Sequence, residues 1–596
     1  MNDLSQYINI NSDLDALKIK EFEKIFYHSI KEEANVVPKV TPFKGINTDL
    51  VYIKDNRLLF IKFMDTTEDL FMILEDELLE VMEEEYDLLR QEMSNLGNEI
   101  EYNYIFIMPY VSLYEDDEYN EFVENNIIDK EKLKKIMNYE ISIDEYLGNP
   151  NDEILLNLFM FRICPEYYVI NNNLNFNKDF KKIYFSNEDY SYRANMLERN
   201  QIEMVSSIKY GNTLYKGASG CGKTTVLLSK AIKLGRIYPH HKFLIFTYTK
   251  QLRNELKERL ELLYKDNNNI EVHTFTSFLF KLAKVYNLVF DYNALKNNRD
   301  KVYKNLMLQA RNTIKNKNMF KGIFIDEIEC FESEYLDFIR SFLYKSKYIF
   351  NGFECKGLNI FSQFNIFKNS WDNIEFDEVI NLDKNYRQSD ALVEFVNNFE
   401  VNSNDYINEI RPSLINDIYY LSHCNRKAKN PVDIIKVSDL EEQISSVIWE
   451  IEYLIQQKGL KYSDIAVVYP YNKKRLKSGN TIYFQYMLKK DLEENEIPYM
   501  YGDDELTNLA KRTGVTISNI YSIKNLEYKA VIFCELEMLY NQSINDVSQD
   551  YQVNDFVGDL NKVYLGINRS TDYLSIITTF NESASDIIRL LVESKK

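Results

Sequence analysis

A glycine-rich segment that contains a lysine and a threonine carries the strongest chemical signal in the sequence. It reads GASGCGKT and fits the phosphate-binding pattern G-x-x-x-x-G-K-[ST], with a strand before it and a helix after it. The glycines let backbone N–H groups point at phosphate oxygens, the lysine reaches the β- and γ-phosphates, and the threonine hydroxyl ligates Mg²⁺. A purely structural glycine turn is the alternative. The pattern predicts ATP contacts at Gly217, Ala218, Ser219, Gly220, Cys221, Gly222, Lys223, Thr224 and Thr225.

Two adjacent carboxylates follow an apolar run in the segment GIFIDEIE. At the carboxyl end of a parallel strand, Asp326 and Glu327 point towards the crevice in which ligands of such sheets bind. We expect Asp326 to hold Mg²⁺ together with Thr224, and Glu327 to orient or deprotonate the attacking water. A second acid directly after the first favours hydrolysis over nucleotide storage. An ordinary charge pair at a strand end is the alternative.

Apolar strands that alternate with amphipathic helices must position these residues. From about residue 196 the strands lie in NTLYKGAS, KFLIFTYT, GIFIDE and KYIFNG, and a second series from about residue 376 contains DIAVVYP, AVIFCEL and LSIITTF. Such alternation predicts parallel sheets that are covered by helices. The expected fold class is therefore α/β.

The composition is typical of a globular chain with several domains. The 596 residues are 45% apolar and 27% charged, which excludes a disordered or collagen-like chain. The six cysteines include no C-x-x-C pair and the five histidines form no ligand-spaced group, so we expect a reducing compartment and no structural zinc. The chain start does not read as a signal peptide and no apolar run reaches 18 residues. We therefore expect a cytoplasmic protein without a membrane partner.

Eight motifs occur in an order that resembles superfamily 1 helicases of the UvrD/Rep type. They are Gln201, GASGCGKT, FTYTKQLRNEL, HTFTSF, IDEIE, LDKNYRQS, ISNIYSIKNLEYKAVIF and YLGINRSTDYL, and they cover about residues 195 to 585. The resemblance implies two RecA-like P-loop NTPase domains with parallel sheets. It also implies ATP-dependent translocation or unwinding on single-stranded DNA with 3′→5′ polarity, although RNA stays open as the strand.

The resemblance assigns further ATP contacts. Gln201 matches the glutamine that reads the adenine edge, Tyr386 the aromatic residue that stacks on adenine, and Glu527 a residue near the ribose and the phosphates. Arg387 and Arg569 match two arginines that reach the γ-phosphate when the two domains close and stabilise the charge that develops in phosphoryl transfer. The implied catalytic set is Lys223, Asp326, Glu327, Arg387 and Arg569.

Eight residues match family positions that touch a single strand. Short hydroxyl side chains and backbone amides suit phosphate contacts that do not read sequence, and an aromatic ring can stack on a base. These residues are Thr247, Tyr248, Thr249, Thr274, Phe275, Phe361, Ser522 and Lys524. Local capping or core packing is the alternative for each of them.

Several positions depart from the family pattern. In IFNGFECKGLNIF, Phe353 stands in place of an acid and Lys356 in place of the glutamine that senses the nucleotide, so the resemblance does not extend to this coupling element. Only 15 residues, Met500 to Gly514, stand where the family carries a large accessory insertion, and a domain needs about 50 residues or more. We therefore expect a working ATPase rather than a strong unwinding enzyme.

The N-terminal segment resembles the nuclease-related NERD domain, a restriction-endonuclease-like α/β unit in which two carboxylates bind Mg²⁺ and a lysine assists the attacking water. Asp49 starts one strand and Lys62 ends the next, but Phe60 stands where the second carboxylate is expected. Asp65 and Glu23 are the candidates to replace it in space. We expect a degenerate nuclease site at Asp49 and Lys62 in a docking module. An active nuclease and an unrelated α/β unit are the alternatives.

The net charge of −21 is concentrated in one N-terminal segment. Residues 65–126 contain 20 Asp or Glu residues and a single base, Arg90, so the rest of the chain is close to neutral. A solvated helix face is the plain interpretation of this segment. Docking of a basic protein partner, or shielding of the nucleic-acid path, is the alternative.

Four regions follow from these patterns. They are a degenerate NERD domain over 1–130, a mostly helical connector over 131–195, a first RecA-like domain over 196–375 and a second RecA-like domain over 376–596. The resulting hypothesis is a translocase or helicase that acts in repair or phage defence. A nucleotide-gated scaffold is the second hypothesis and a P-loop kinase the third, and stimulation of ATP hydrolysis by single-stranded DNA distinguishes them.

Overall fold

The computed structural model describes most of the chain. The described residues are 18–43, 45–95, 100–113, 119–170, 194–264, 269–290, 295, 298–315, 317–360, 367, 369, 371–412, 417–424, 426–428, 430, 432–471, 474–475, 481–482, 484–502, 513–524, 526–539, 543–544, 546, 548–579 and 585–595. The chain divides into two compact units, residues 1–171 with 179–208, and residues 172–178 with 209–596. Within the described ranges, we find no helix with the length and apolar character that crossing a membrane requires.

The first unit is built on a five-stranded mixed sheet. Its strands are β1 (Asn35–Phe43), β2 (Ile46–Lys54), β3 (Arg57–Phe63), β4 (Asn103–Ile107) and β5 (Ile127–Ile128), which lie in that order across the sheet. The first three strands pair antiparallel, and β3, β4 and β5 pair parallel. A hairpin forms between β2 and β3, because Asp55 and Asn56 both take the left-handed backbone conformation that a two-residue turn of this kind needs.

Helices and a short two-stranded ladder complete the first unit. The helices are Ile19–Ile30, Glu68–Ile73, Glu75–Ser94, Glu121–Asn126, Lys130–Met137, Glu153–Ile163 and Arg199–Ser206, and the ladder consists of β6 (Tyr168–Ile170) and β7 (Ala194–Met196). Leu133, Ile136 and Ile143 share one buried core with Phe22 and Phe26. The region from residue 131 that was predicted as a connector therefore contributes to the core of this unit, because its helix buries an apolar face.

The second unit contains two parallel six-stranded sheets. The strands of the first are β8 (Gly211–Gly217), β9 (Phe243–Phe246), β10 (Ile270–His273), β11 (Gly322–Ile325), β12 (Ile349–Glu354) and β13 (Glu378–Leu382), in the order β10-β9-β11-β12-β8-β13. All neighbours pair parallel. Helices that belong to this sheet are Lys223–Ile237, Lys250–Leu263, Phe275–Val285, Arg299–Thr313 and Ser333–Arg340. The sheet takes its last strand from beyond the predicted boundary at residue 375, since β13 pairs with β8.

The second sheet is also parallel throughout. Its strands are β14 (Asp433–Val437), β15 (Ile465–Tyr469), β18 (Tyr499–Tyr501), β19 (Val515–Asn519), β20 (Tyr528–Cys534) and β21 (Ser570–Thr579), in the order β14-β21-β20-β15-β19-β18, and β16 (Lys474–Arg475) and β17 (Thr481–Ile482) form a separate hairpin. Its helices are Asp390–Ile410, Leu440–Lys458, Phe484–Glu494, Asp550–Ile567 and Asp586–Ser594. Two parallel sheets with crossover helices are consistent with the RecA-like domains expected from the sequence.

Candidate active site

The loop between β8 and the helix Lys223–Ile237 folds around the lysine that starts the helix. Gly220 and Gly222 have φ angles of +84° and +76°, a region that glycine enters without strain. A Cβ on Gly220 would lie 2.6 Å from the side-chain oxygen of Asn385. The buried ammonium of Lys223 donates hydrogen bonds to the carbonyl oxygens of Gly217, at 2.9 Å, and Ala218. Cys221 is buried and Thr225 half-buried beside them.

A hydroxyl and a carboxylate meet next to this loop. Asp326 directly follows β11, and the Thr224 hydroxyl donates to its carboxylate at 2.7 Å. Burial, and then the neighbouring charge of Glu327, raise the pKa of Asp326 to about 6. Mg²⁺ in nucleotide sites is held by one or two protein oxygens together with phosphate and water oxygens. The Thr224 and Asp326 oxygens fit that requirement, so the donor set agrees with the predicted metal.

Glu327 forms a buried ion pair with a lysine from the other sheet. Its backbone has a φ of +51°, and its carboxylate accepts a hydrogen bond from the Lys524 ammonium at 3.0 Å. The two side chains are 9% and 1% exposed, respectively. Lys524 lies between β19 and β20, where the sequence predicted a contact with a nucleic-acid strand. The structure corrects this placement, because the ammonium is buried against the predicted catalytic carboxylate.

Both predicted arginines reach the phosphate-binding loop. Arg387 donates to the Ser219 hydroxyl at 2.8 Å and pairs with Glu527 at 2.5 Å. Arg569 donates to the same hydroxyl at 3.3 Å and to the backbone carbonyl of Lys524. Burial, and then the charge of Arg387, lower the pKa of Arg569 to about 10. Two guanidinium groups that converge on one loop residue can stabilise phosphate charge developing beside it.

The three residues that were expected around the nucleoside differ in their exposure and in their contacts. The Tyr386 N–H donates to the Gly220 carbonyl at 3.0 Å, and its ring is 38% exposed, so a base can reach it. Glu527 is half-buried, and desolvation of its carboxylate opposes ionisation, but the charge of Arg387 holds its pKa below the usual range. Gln201 is buried on the helix Arg199–Ser206 of the first unit, so its contact with adenine stays a prediction.

Sequence reasoning missed two residues that contact the phosphate-binding loop. The side-chain amide of Asn385 donates to the Ser219 carbonyl at 3.2 Å, and its oxygen accepts the Arg387 N–H at 2.9 Å. The Tyr564 hydroxyl accepts the Ser219 N–H at 3.5 Å. Asn385 directly precedes Tyr386, and Tyr564 belongs to the motif that contains Arg569. Membership of those motifs is the signal that could have identified them.

Three threonines that were predicted to touch a strand have structural roles instead. Thr249 and Thr274 are the N-caps of two helices, and each accepts the backbone N–H three residues later, at 3.3 and 3.2 Å. Thr247 is fully buried, and its hydroxyl donates to the Thr249 carbonyl at 3.1 Å. The alternative of local capping accounts for these three side chains.

The aromatic residues that were predicted to contact single-stranded nucleic acid also differ from expectation. Phe275 is a core residue, because it is buried and stacks on Tyr335 with ring centres 4.1 Å apart. Tyr248 is half-buried, with the Lys524 ammonium 5.7 Å from its ring centre. Ser522 is half-buried in a turn, and Phe361 lies outside the described residues. Tyr248 and Ser522 stay as predicted strand contacts.

The altered coupling element contacts other parts of the second unit. Phe353 is buried and stacks on Tyr215 with ring centres 4.6 Å apart. The Lys356 ammonium donates to the Asp417 carbonyl at 2.6 Å and lies 4.8 Å from the ring centre of Tyr420. Both side chains are thus engaged within the second unit, and the altered coupling element stays a prediction.

Amide groups nearby connect the two sheets. The Asn359 side chain donates to the Glu329 carbonyl at 3.2 Å, and the Asn561 side chain donates to the Asn359 carbonyl at 3.0 Å. Glu329 follows the two predicted catalytic acids, whereas Asn561 lies on the helix Asp550–Ile567. These hydrogen bonds therefore join the loop after β11 to the helix that precedes Arg569.

In the first unit, a lysine ammonium lies between the predicted metal carboxylate and a second acid. The ammonium of Lys39 is 2.5 Å from Asp49 and 2.6 Å from Glu23. Lys39 has a φ of +54° within β1, a conformation that is rare for a lysine. The other oxygen of Asp49 accepts the Phe63 N–H at 2.8 Å. Glu23 thus lies beside Asp49, as one sequence-based alternative proposed, but a cationic side chain separates them.

The remaining residues of this predicted nuclease site are paired as well. Lys62 forms an ion pair with Glu85, which also accepts a hydrogen bond from the Tyr104 hydroxyl at 2.7 Å. Phe60 is buried, with its ring centre 6.3 Å from that of Tyr104, and Asp65 is exposed. Within the described ranges, no three Asp, Glu, His or Cys side chains are grouped so that they could hold a metal. Asp49 and Lys62 are therefore each held in an ion pair, and the degenerate nuclease site stays a prediction.

Comparison with known proteins gives one family. Residues 197–493, about half of the chain, match the family model of the UvrD/REP helicase N-terminal domain. The match begins before the phosphate-binding loop and ends in the helix Phe484–Glu494. It supports a UvrD-like superfamily 1 helicase, and with it ATP hydrolysis and nucleic-acid binding. No curated protein matches the chain.

Proposed function

We propose that this chain is an ATP-dependent translocase on single-stranded nucleic acid, with DNA as the preferred strand. One observation carries the proposal: Arg569, next to the second parallel sheet, and Arg387 converge on Ser219 in the phosphate-binding loop of the first sheet. A nucleotide in that loop would therefore contact groups from both sheets. Its hydrolysis would change the contacts between them, which is what a two-sheet motor requires.

The chemistry follows from the side chains around the loop. Lys223 and the loop N–H groups would hold the β- and γ-phosphates, and Thr224 and Asp326 would hold Mg²⁺, which neutralises phosphate charge when bound. Glu327 would orient the attacking water. Arg387 and Arg569 would exchange the neutral Ser219 hydroxyl for phosphate oxygens, which are stronger acceptors for a guanidinium. Tyr386 would stack on the base.

The test is ATP hydrolysis by the full chain with and without single-stranded DNA. We expect Lys223→Ala and Glu327→Gln to abolish hydrolysis, whereas Glu327→Gln keeps ATP binding because Lys223, Thr224 and Asp326 remain. Lys257→Ala is the matched control, because that lysine is exposed on a neighbouring helix. Wild-type turnover in both active-site variants would refute the assignment of this site.

A second candidate is a nucleotide-gated scaffold in which ATP binding switches a protein partner without movement along a strand. The contacts of Phe353 and Lys356 favour it, because the element that couples ATP to nucleic acid is altered. The scaffold predicts the same ATPase rate with and without single-stranded DNA, whereas the motor predicts stimulation. A role in repair or in phage defence fits either candidate.

The first unit is proposed as a docking module with a degenerate NERD-type site. The pairing of Asp49 with Lys39 and of Lys62 with Glu85 supports the loss of nuclease chemistry. The acidic helix Glu75–Ser94 exposes most of its carboxylates, together with Val81 and Leu88. Such a surface is suited to binding a basic protein partner.

A further inference from the structure

An exposed apolar stripe runs along the helix Glu75–Ser94 of the first unit. Leu74, Val81 and Leu88 follow one another at intervals of seven residues, which is close to two helical turns, so they lie on one side of this helix. Val81 and Leu88 are each more than half exposed. The short helix that comes before adds three further exposed apolar side chains, Leu70, Met72 and Ile73.

Carboxylates border this stripe. Glu77 and Glu84 stand three or four residues from Val81 and Leu88, so they are their neighbours on the helix surface. The exposed carboxylates of the helix outnumber its exposed base, Arg90, and are Asp76, Glu77, Glu80, Glu83, Glu84, Asp87 and Glu92. We call the apolar stripe and these carboxylates the acidic face.

A second exposed apolar surface lies on two neighbouring helices of the first parallel sheet. Val285 ends one helix, Leu308 belongs to the next, Val289 lies in the segment between them, and all three are more than half exposed. The Gln309 side chain binds the N–H and the carbonyl of Val289, at 3.0 and 2.8 Å, which holds that segment beside the second helix. The exposed bases of the two helices are Lys284, Arg299, Lys301, Lys304 and Arg311, and their exposed acid is Asp300. We call this surface the basic face.

The two faces are opposite in charge and alike in apolar character. Groups of exposed aliphatic side chains mark surfaces that bind other proteins. A nucleic-acid backbone would pair with the bases of the basic face but would offer no apolar group to its three aliphatic side chains. An apolar surface that is rimmed by carboxylates satisfies both requirements. The acidic face of the same chain is such a surface.

We infer that the acidic face of one copy of this chain docks on the basic face of a second copy. The inference rests on the docking role that is proposed for the first unit, and it identifies the basic partner as the chain itself. Because the two faces differ, the contact is head-to-tail, and each added copy presents the same two faces again. The assembly therefore grows beyond a dimer as the concentration rises, unless it closes into a ring.

Sedimentation velocity of the full chain without nucleic acid tests the inference, between about 1 and about 100 µM and at about 50 and about 500 mM NaCl. Glu77→Lys with Glu84→Lys reverses the charge of the acidic face. Lys301→Glu with Lys304→Glu reverses the basic face, because these lysines lie seven and four residues before Leu308 on the same side of the helix. Thermal unfolding verifies that each variant is folded.

A matched control changes the charge of the first unit by the same amount at other places. Glu140→Lys with Glu153→Lys serves this purpose, because both carboxylates are exposed outside the acidic face. If the reversed basic face does not fold, Lys284→Glu with Lys301→Glu takes its place and is judged by the same criteria.

We expect the average mass of the wild-type chain to rise with concentration above the 70.9 kDa of one copy and to fall back at high salt, since salt screens exposed charges. Each reversed variant should keep the mass of one copy, and the control should match wild type. An equimolar mixture of the two reversed variants should associate, because every face then meets a face of opposite charge.

Three results overturn the inference. The first is a wild-type chain that keeps the mass of one copy at low salt. The second is an association that the reversed variants do not weaken or that their mixture does not restore. The third is a reversed basic face that loses affinity for oligothymidylate while the chain still associates, which assigns that face to nucleic acid.

The proposed motor is tested separately, by ATP hydrolysis with and without oligothymidylate in dilute protein. A wild-type ATPase that oligothymidylate does not change refutes the motor and leaves the docking between copies in place. A stimulated ATPase in a chain that does not associate removes only the docking. Both reversed variants should keep the ATPase rate of wild type, because their substitutions lie outside the predicted catalytic set.

Discussion

Glu400 is a buried carboxyl group behind the phosphate-binding loop, and its replacement by glutamine should stabilise the protein at alkaline pH. The side chain is fully buried on the helix Asp390–Ile410. Burial raises the pKa of Glu400 from 4.5 to about 8, although Tyr564 moderates the effect. The neutral acid is therefore the form that the fold accommodates.

The size and sign of the effect follow from this pKa. Because the folded state holds the proton more tightly than the unfolded chain, stability is fully present below pH 4.5 and is lost as the pH rises towards 8. Each pKa unit corresponds to about 1.4 kcal/mol. The penalty at pH 8 is therefore at most about 4 kcal/mol, and Glu400→Gln avoids it because an amide does not ionise.

Urea denaturation between pH 5 and pH 8.5 measures this difference. We expect the two proteins to unfold at similar urea concentrations at pH 5 and to diverge steadily above it, with Glu400→Gln the more stable. Hydrogen exchange in the helix Asp390–Ile410 locates the effect, and Glu394→Gln is the control because that side chain is exposed on the same helix. A stability difference that does not change with pH would show that Glu400 is not held neutral by its surroundings.

Four further predictions concern other residues and activities. Phe275→Ala should lower the stability by about 3–5 kcal/mol in chemical denaturation, since it empties a core position, and a folded variant that loses only nucleic-acid affinity would contradict this. The purified chain should separate long tailed duplexes poorly at fixed low salt, and efficient separation of long duplexes would contradict the expectation of a weak unwinding enzyme. The chain should not cut linear, circular or single-stranded DNA with Mg²⁺ or Mn²⁺, and cleavage that Asp49→Ala abolishes would contradict the assignment. Lys39→Ala should lower the stability by about 1 kcal/mol, since its ammonium is half-exposed, and Mg²⁺ should recover part of the loss.

The positions of the phosphate-binding loop and of the acids beside it relative to the strands could be predicted from the sequence, because their geometry is local. Gly217 to Thr224 form one continuous turn from strand to helix, and Asp326 directly follows a strand whose apolar run is visible in the sequence. The alternation of strands and helices likewise predicted parallel sheets. Strand order was not predictable in the same way, so the sequence could not show that β13 completes the first sheet.

The predicted contacts with single-stranded nucleic acid were less predictable, because the burial of these side chains depends on residues that are far apart in the chain. Phe275 becomes a core residue only when Tyr335 packs against it, and Lys524 is buried by Glu327, nearly two hundred positions away. The same limit applies in the first unit. The sequence proposed Glu23 as a partner of Asp49, but gave no sign that Lys39 would take a left-handed conformation and place its ammonium between them.

Because β13 pairs with β8, the chain limits how far Arg387 can move from the phosphate-binding loop, but it sets no such limit for Arg569. Leu382, the last residue of β13, lies opposite Gly217, the first residue of the phosphate-binding loop. Arg387 follows five residues later, so a fully extended chain allows its Cα to move no more than about 18 Å from Leu382. Arg569 has no comparable covalent tether, because it precedes β21 of the other sheet. If the two sheets separate, Arg569 moves with its sheet, whereas the chain keeps Arg387 within that distance of the end of β13.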